Sequence, residues 1–141
     1  MKLATLVPAV ALAFLCLSAS AMRNPASIER EQDSTPEFLT ITVRSVKATL
    51  KEGTELLEHN VAVEAEVKEV HRTKTGVVPG QVIFIWYVAK DYKPGGPHPV
   101  GESFESVLTQ GRTYPAYLRK DKDWYRAAVS GFSFSTMKRG K

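Results

Sequence analysis

The chain has 141 residues, of which 19 are Lys or Arg and 15 are Asp or Glu, giving a formal net charge of +4, and it holds one cysteine. That length suits one domain whose core can stand unaided. A charge so near balance argues against a nucleic-acid binder working through a strong basic field, and a lone cysteine excludes an internal disulfide framework or a cysteine-built metal centre.

Residues 1–21 read as an export signal. Lys2 supplies a positive start, residues 3–17 are apolar apart from Thr5 and Pro8, and Ala19-Ser20-Ala21 offers the small residues of a cleavage site. Cleavage is expected after Ala21. The apolar run is shorter than the ~20 residues a spanning helix needs. The expected location is therefore secreted, periplasmic or cell-envelope, with no membrane insertion once the signal is removed. Cys16 leaves with the signal. Residues 22–37 are polar, carry Pro25 and Pro36, and show no apolar period, which reads as a disordered leader. The domain is placed at 38–136, and residues 137–141, with Lys138, Arg139 and Lys141, read as a solvated basic tail.

Within the domain the pattern is that of short strands and turns. The first strand is predicted over residues 38–50; Leu39, Ile41 and Val43 share one phase and Val46, Ala48 and Leu50 the other, which places a bulge near Arg44-Ser45. The second strand, about 57–72, turns Val61, Val63, Ala65 and Val67 inward and Glu64, Glu66 and Lys68 to water. Gly76 and Pro79-Gly80 break the next loop. The third strand, 81–89, is apolar in both phases and so is expected to be buried on both faces, under cover of the following segment. A long connection, 90–111, opens with prolines and glycines and has room for one short helix or an extended piece over 102–108, where the period decides neither. The fourth strand, 113–119, contains Pro115, which cannot donate to a ladder and marks an edge. A fifth strand, 124–129, follows the Asp121-Lys122-Asp123 turn, and Phe132 and Phe134 are expected to pack back in an extended segment. The fold class is all-β: a small five-stranded, Greek-key, OB-like barrel.

The segments "VAVEAEVKEVHRTKTGVVPGQVIFIWYV" and "LTQGRTYPAYLRKDKDWYRAA" resemble the barrel domain of netrin-module and metalloproteinase-inhibitor-like proteins, and more closely exported bacterial proteins of the planctomycete kind that carry this barrel alone. The resemblance covers about residues 41–134 and rests on turn and packing motifs. It implies a fold more than an activity. Inhibitors of that family chelate the target's zinc through an N-terminal cysteine. With Met22 as the expected mature end, that mechanism does not carry over.

No catalytic pattern competes. His59, His71 and His98 stand in no paired ligand spacing, so no metal or other cofactor is expected. Neither a nucleophile elbow nor a phosphate loop occurs. Glu64, Glu66 and His71 would form the acid–base set of a carbohydrate-active or metal-dependent enzyme only if they converged in a cleft. The aromatic residues around strands three to five, with basic neighbours, are the alternative. Tyr92, Arg112, Tyr117, Trp124 and Arg126 are the expected ligand-binding residues, although most of the ring-bearing side chains have strand-core phase. The expected function is that of an exported, non-catalytic binding module whose partner is an envelope or extracellular protein or a glycan, not a nucleic acid. A protease-inhibitor-like role through an unfamiliar loop is the further alternative.

Overall fold

The computed structural model describes residues 23–52, 56–95 and 104–136. The expected export signal, the basic tail and residues 96–103 of the proline-rich connection lie outside them. Among the described residues the chain forms one helix, α1 (Pro25–Ser34), and the strands β1 (Glu37–Glu52), β2 (Leu56–Arg72), β3 (Val82–Tyr92), β4 (Thr113–Asp121) and β5 (Trp124–Ala127). The strands close into a barrel in the order β1-β2-β3-β5-β4, with β3 and β5 parallel and the other neighbours antiparallel. This is the expected five-stranded OB-like barrel.

Closure depends on β1 serving two partners. It pairs with β2 along its length and with β4 from Glu37 to Thr42. A register shift between Val43 and Ser45 leaves Arg44 without a Cα partner in β2, the bulge that the phase change predicted. Gly111 holds the bulge from the other side: at φ 85, a conformation open to glycine, its N–H donates to Val43 O at 2.8 Å. Pro115 sits opposite Thr40 of β1, and β5 pairs with β4 only from Leu118 onward. Two residues beyond it, the Tyr117 N–H points away from β1 to Ser133 O at 2.8 Å. Backbone direction repeats every second residue, so the missing N–H of Pro115 also faces the side where no strand lies.

The barrel interior is filled by alternate residues: Leu39, Ile41 and Val43, then Val61, Val63, Ala65 and Val67, then Ile83, Ile85, Tyr87 and Ala89, closed by Ala116, Leu118 and Tyr125. Each buried Val, Leu or Ile side chain contributes about 1.5–3 kcal/mol. The Tyr87 hydroxyl is satisfied inside, donating to Ser106 O at 2.8 Å and accepting from Leu108 N–H at 3.0 Å. Those two bonds stitch the β3–β4 connection to the barrel.

Four expectations are corrected. The leader is not disordered over 25–34. It forms α1, capped by Asn24, whose side chain accepts from Ala26 N–H at 3.0 Å, with Pro25 in the first turn. Ile28 and Gln32, one turn apart, are its buried residues. Gln32 Nε2 donates to the carbonyls of Phe132 and Ser135, and the Arg72 guanidinium caps the far end by donating to Gln32 O and Thr35 O at 2.7 Å each. The connection before β4 is irregular, not helical, over residues 104–109. The outer face of β3 is not buried, for Phe84 and Trp86 are 44% and 36% exposed. Residues 130–134 coil through turns in place of an extended segment, because Ser133 Oγ folds back to donate to Val129 O at 2.6 Å.

Candidate functional site: an aromatic groove on the outer barrel face

Strand register decides which side chains meet on the outside of the barrel. Glu64 of β2 lies opposite Ser45 of β1 and Phe84 of β3, while Trp124 and Asp121 face each other across the β4–β5 hairpin. Phe84 and Trp124 touch, with ring centroids 5.6 Å apart, so these residues make one continuous rung. The next rung runs Lys47, Ala62, Trp86, Arg126 and Arg119, each the Cα partner of its neighbour. Arg126 lies over the Trp86 ring at 5.1 Å and reaches Asp121 at 3.6 Å.

Three concavities join along these rungs. Ser45, Lys47, Glu64, Phe84 and Trp124 line a hollow of about 180 Å³. Trp86, Asp121, Lys122, Trp124 and Arg126 line one of about 370 Å³. Trp86, Glu105, Arg126 and Ser130 contribute to a third of about 300 Å³. Trp124 is shared by the first two, and Trp86 with Arg126 by the last two, so together they form a groove crossing the strands. Trp124 is 42% exposed. Lys122, at φ 56, holds the hairpin lip in a left-handed conformation that costs a non-glycine residue about 1–2 kcal/mol.

Glu105 marks the far end. Burial pushes its carboxyl up from the usual range, against the pull of the amides it accepts from, chiefly Ser133 N–H at 2.9 Å. A carboxylate engaged in this way clamps the 129–134 turn and is poorly placed to hand a proton to a ligand.

Of the expected ligand-binding residues, Trp124 and Arg126 meet in this groove. Tyr117 does not. It is 5% exposed, with its ring stacked on Phe38 at 4.3 Å and packed with Ile28 and Val129. It faces outward from the barrel but is covered by α1, the helix that sequence reading left out. Arg112 lies at the β1 bulge, where its carbonyl accepts from Val43 N–H at 2.9 Å, and it lines none of the three concavities. Tyr92 ends β3 against Phe104, ring centroids 5.6 Å apart, in a separate hollow of about 500 Å³ shared with His59, Lys90 and Ser106. Phe84, Trp86 and Lys47 were missed, the first two because a continuous apolar run reads as buried on both faces.

Glu64, Glu66 and His71 do not assemble. They are strung along β2, with Glu64 and His71 separated by roughly 23 Å at the ~3.3 Å rise of a strand. Glu64 belongs to the groove. Glu66 pairs with Lys68 at 2.9 Å, and this hydrogen bond holds its carboxyl below the usual range. His71 Nε2 lies 2.8 Å from Thr40 Oγ1, with its ring on Phe38. Among the described residues no cluster of His, Cys, Asp or Glu is arranged to hold a metal ion, and no helix is long and apolar enough to cross a membrane. In comparison with known proteins, no family model matches the chain, and no curated protein or solved structure matches it significantly.

Proposed function

We propose that this chain is an exported, non-catalytic binding module whose working surface is the groove of Phe84, Trp86 and Trp124, and that its ligand offers flat or ring-shaped faces, as a glycan does. The observation that carries this reading is the exposure of three large aromatic side chains, 36–44% each, packed side by side across β3 and β5. Contiguous exposed apolar patches mark interaction surfaces or ligand grooves. Stacking of a planar ligand on an exposed aromatic ring is worth about 1–3 kcal/mol in nucleic-acid binders of this barrel type. OB-type barrels commonly bind oligosaccharides and oligonucleotides on the β2–β3 face beside the β4–β5 turn, an analogy of fold that favours the same face here. The composition of residues 1–21 supports export.

The test is direct, because both tryptophans of the chain lie in the groove. Intrinsic fluorescence should respond when the protein is titrated with soluble oligosaccharides, and Trp124→Ala should weaken the response at least fivefold while Arg112→Ala leaves it unchanged. Binding that is insensitive to both Trp86→Ala and Trp124→Ala would overturn the assignment.

A further inference from the structure

The two rungs of the groove differ in charge. The first presents two carboxylates, Glu64 and Asp121, with Phe84 and Trp124 between them. The second presents cations, Lys47 on one side of Trp86 and Arg126 with Arg119 on the other. Arg119 and Arg126 are directly opposed across the β4–β5 pair, an arrangement that is destabilising by itself. Asp121 relieves Arg126 only at 3.6 Å and from a half-exposed position, and Arg119 has no carboxylate within ion-pair reach among the described residues. A small anion between the two guanidinium groups would satisfy both.

We infer that the groove takes an acidic polysaccharide, a chain of uronate-type sugars lying across the strands. This rests on the groove being the binding surface. The sugar rings lie on Trp86 and Trp124. Their carboxylates meet Arg119, Arg126 and Lys47, while their hydroxyl edges donate to Glu64 and Asp121. A uronate sugar has one anionic part and several hydroxyls, which matches a groove with one cationic and one acidic wall. A strand of nucleic acid likewise carries one anion per step, but its sugar keeps at most one free hydroxyl to donate to Glu64 and Asp121. Within the groove, Lys47, Trp86 and Arg126 cross three strand spacings, about 14 Å at ~4.8 Å each, enough for a short run of sugars.

The full chain is titrated by tryptophan fluorescence with an oligogalacturonate, with the same oligomer methyl-esterified at its carboxylates, and with a single-stranded oligonucleotide. The acid should bind at least tenfold more tightly than the ester, and the difference should shrink as salt is raised. Arg119→Gln with Arg126→Gln should cut that preference at least fivefold. Asp121→Asn should strengthen binding of the acid by about twofold to threefold, in line with the small worth of an exposed ion pair, a gain that a misfolded variant would not produce. Equal binding of acid and ester would overturn the inference and leave the groove reading standing. Tighter binding of the oligonucleotide would also overturn it. Failure of every ligand to perturb either tryptophan would remove both.

Discussion

Glu105 and Tyr117 show how far one side chain's role depends on what covers it. Glu105 stands in an irregular segment, yet its carboxylate accepts from Ser133 N–H while its main-chain carbonyl accepts from Lys90 N–H at 3.1 Å, so it ties the β3–β4 connection to both β3 and the final turns. Because burial raises its pKa in the folded chain, the protonated form is the one folding favours. Its favourable contribution is therefore complete below the ordinary value of 4.5 and is lost as pH rises through the raised one. Glu105→Gln keeps an acceptor oxygen without the charge. Thermal melts should show the wild-type chain losing stability relative to Glu105→Gln as pH is raised from about 4 to about 7; parallel curves would contradict this. Glu66 shifts the opposite way, but it is exposed and its pair with Lys68 is screened by solvent. Tyr117 makes the complementary point. A tyrosine on the outer face of a strand is a ligand platform when bare and a packing residue when a helix lies over it.

That helix is the element the sequence concealed most effectively. The bulge at Arg44 and the open side of β4 at Pro115 were legible, because phase change and proline each report backbone geometry directly. Helix α1 was not, since only Ile28 and Gln32 along it are buried and its docking relies on polar groups: Gln32 to the Phe132 and Ser135 carbonyls, and Arg72 to the helix end. Hydrophobic periodicity cannot register such contacts. The readable signal was the Asn24-Pro25 pair, a capping residue followed by the proline of a first helical turn. If α1 is an integral part of the fold, Ile28→Ala should cost about 2–4 kcal/mol by opening a cavity against Tyr117 and Val129. Gln32→Ala should cost about 1–3 kcal/mol by removing two hydrogen bonds to the part-buried carbonyls of Phe132 and Ser135. Denaturant unfolding measures both, and losses near zero would mean that α1 does not stabilise the barrel. Pro115→Ala, by contrast, should lower stability by no more than about 1 kcal/mol, through the unfolded chain alone.

At the scale of the whole molecule, the apolar residues divide between two tasks. The barrel interior takes aliphatic side chains with Tyr87 and Tyr125, while the outer face of β3 and β5 keeps Phe84, Trp86 and Trp124 in contact with water. An apolar run such as QVIFIWYVA gives no sign of this division, because burial on both faces and burial on one face with a bare aromatic platform read alike. Register resolves it, and it also sorts the flanking charges into a cationic and an acidic wall. The central claim, that this platform is where the protein meets its partner, is tested most directly by amide and indole NMR shifts on titration with an oligogalacturonate. Both tryptophan indole N–H signals should move, together with the amides of Arg119 and Arg126. Shifts confined to the surroundings of Tyr92 or Arg112, with both indoles unmoved, would contradict it.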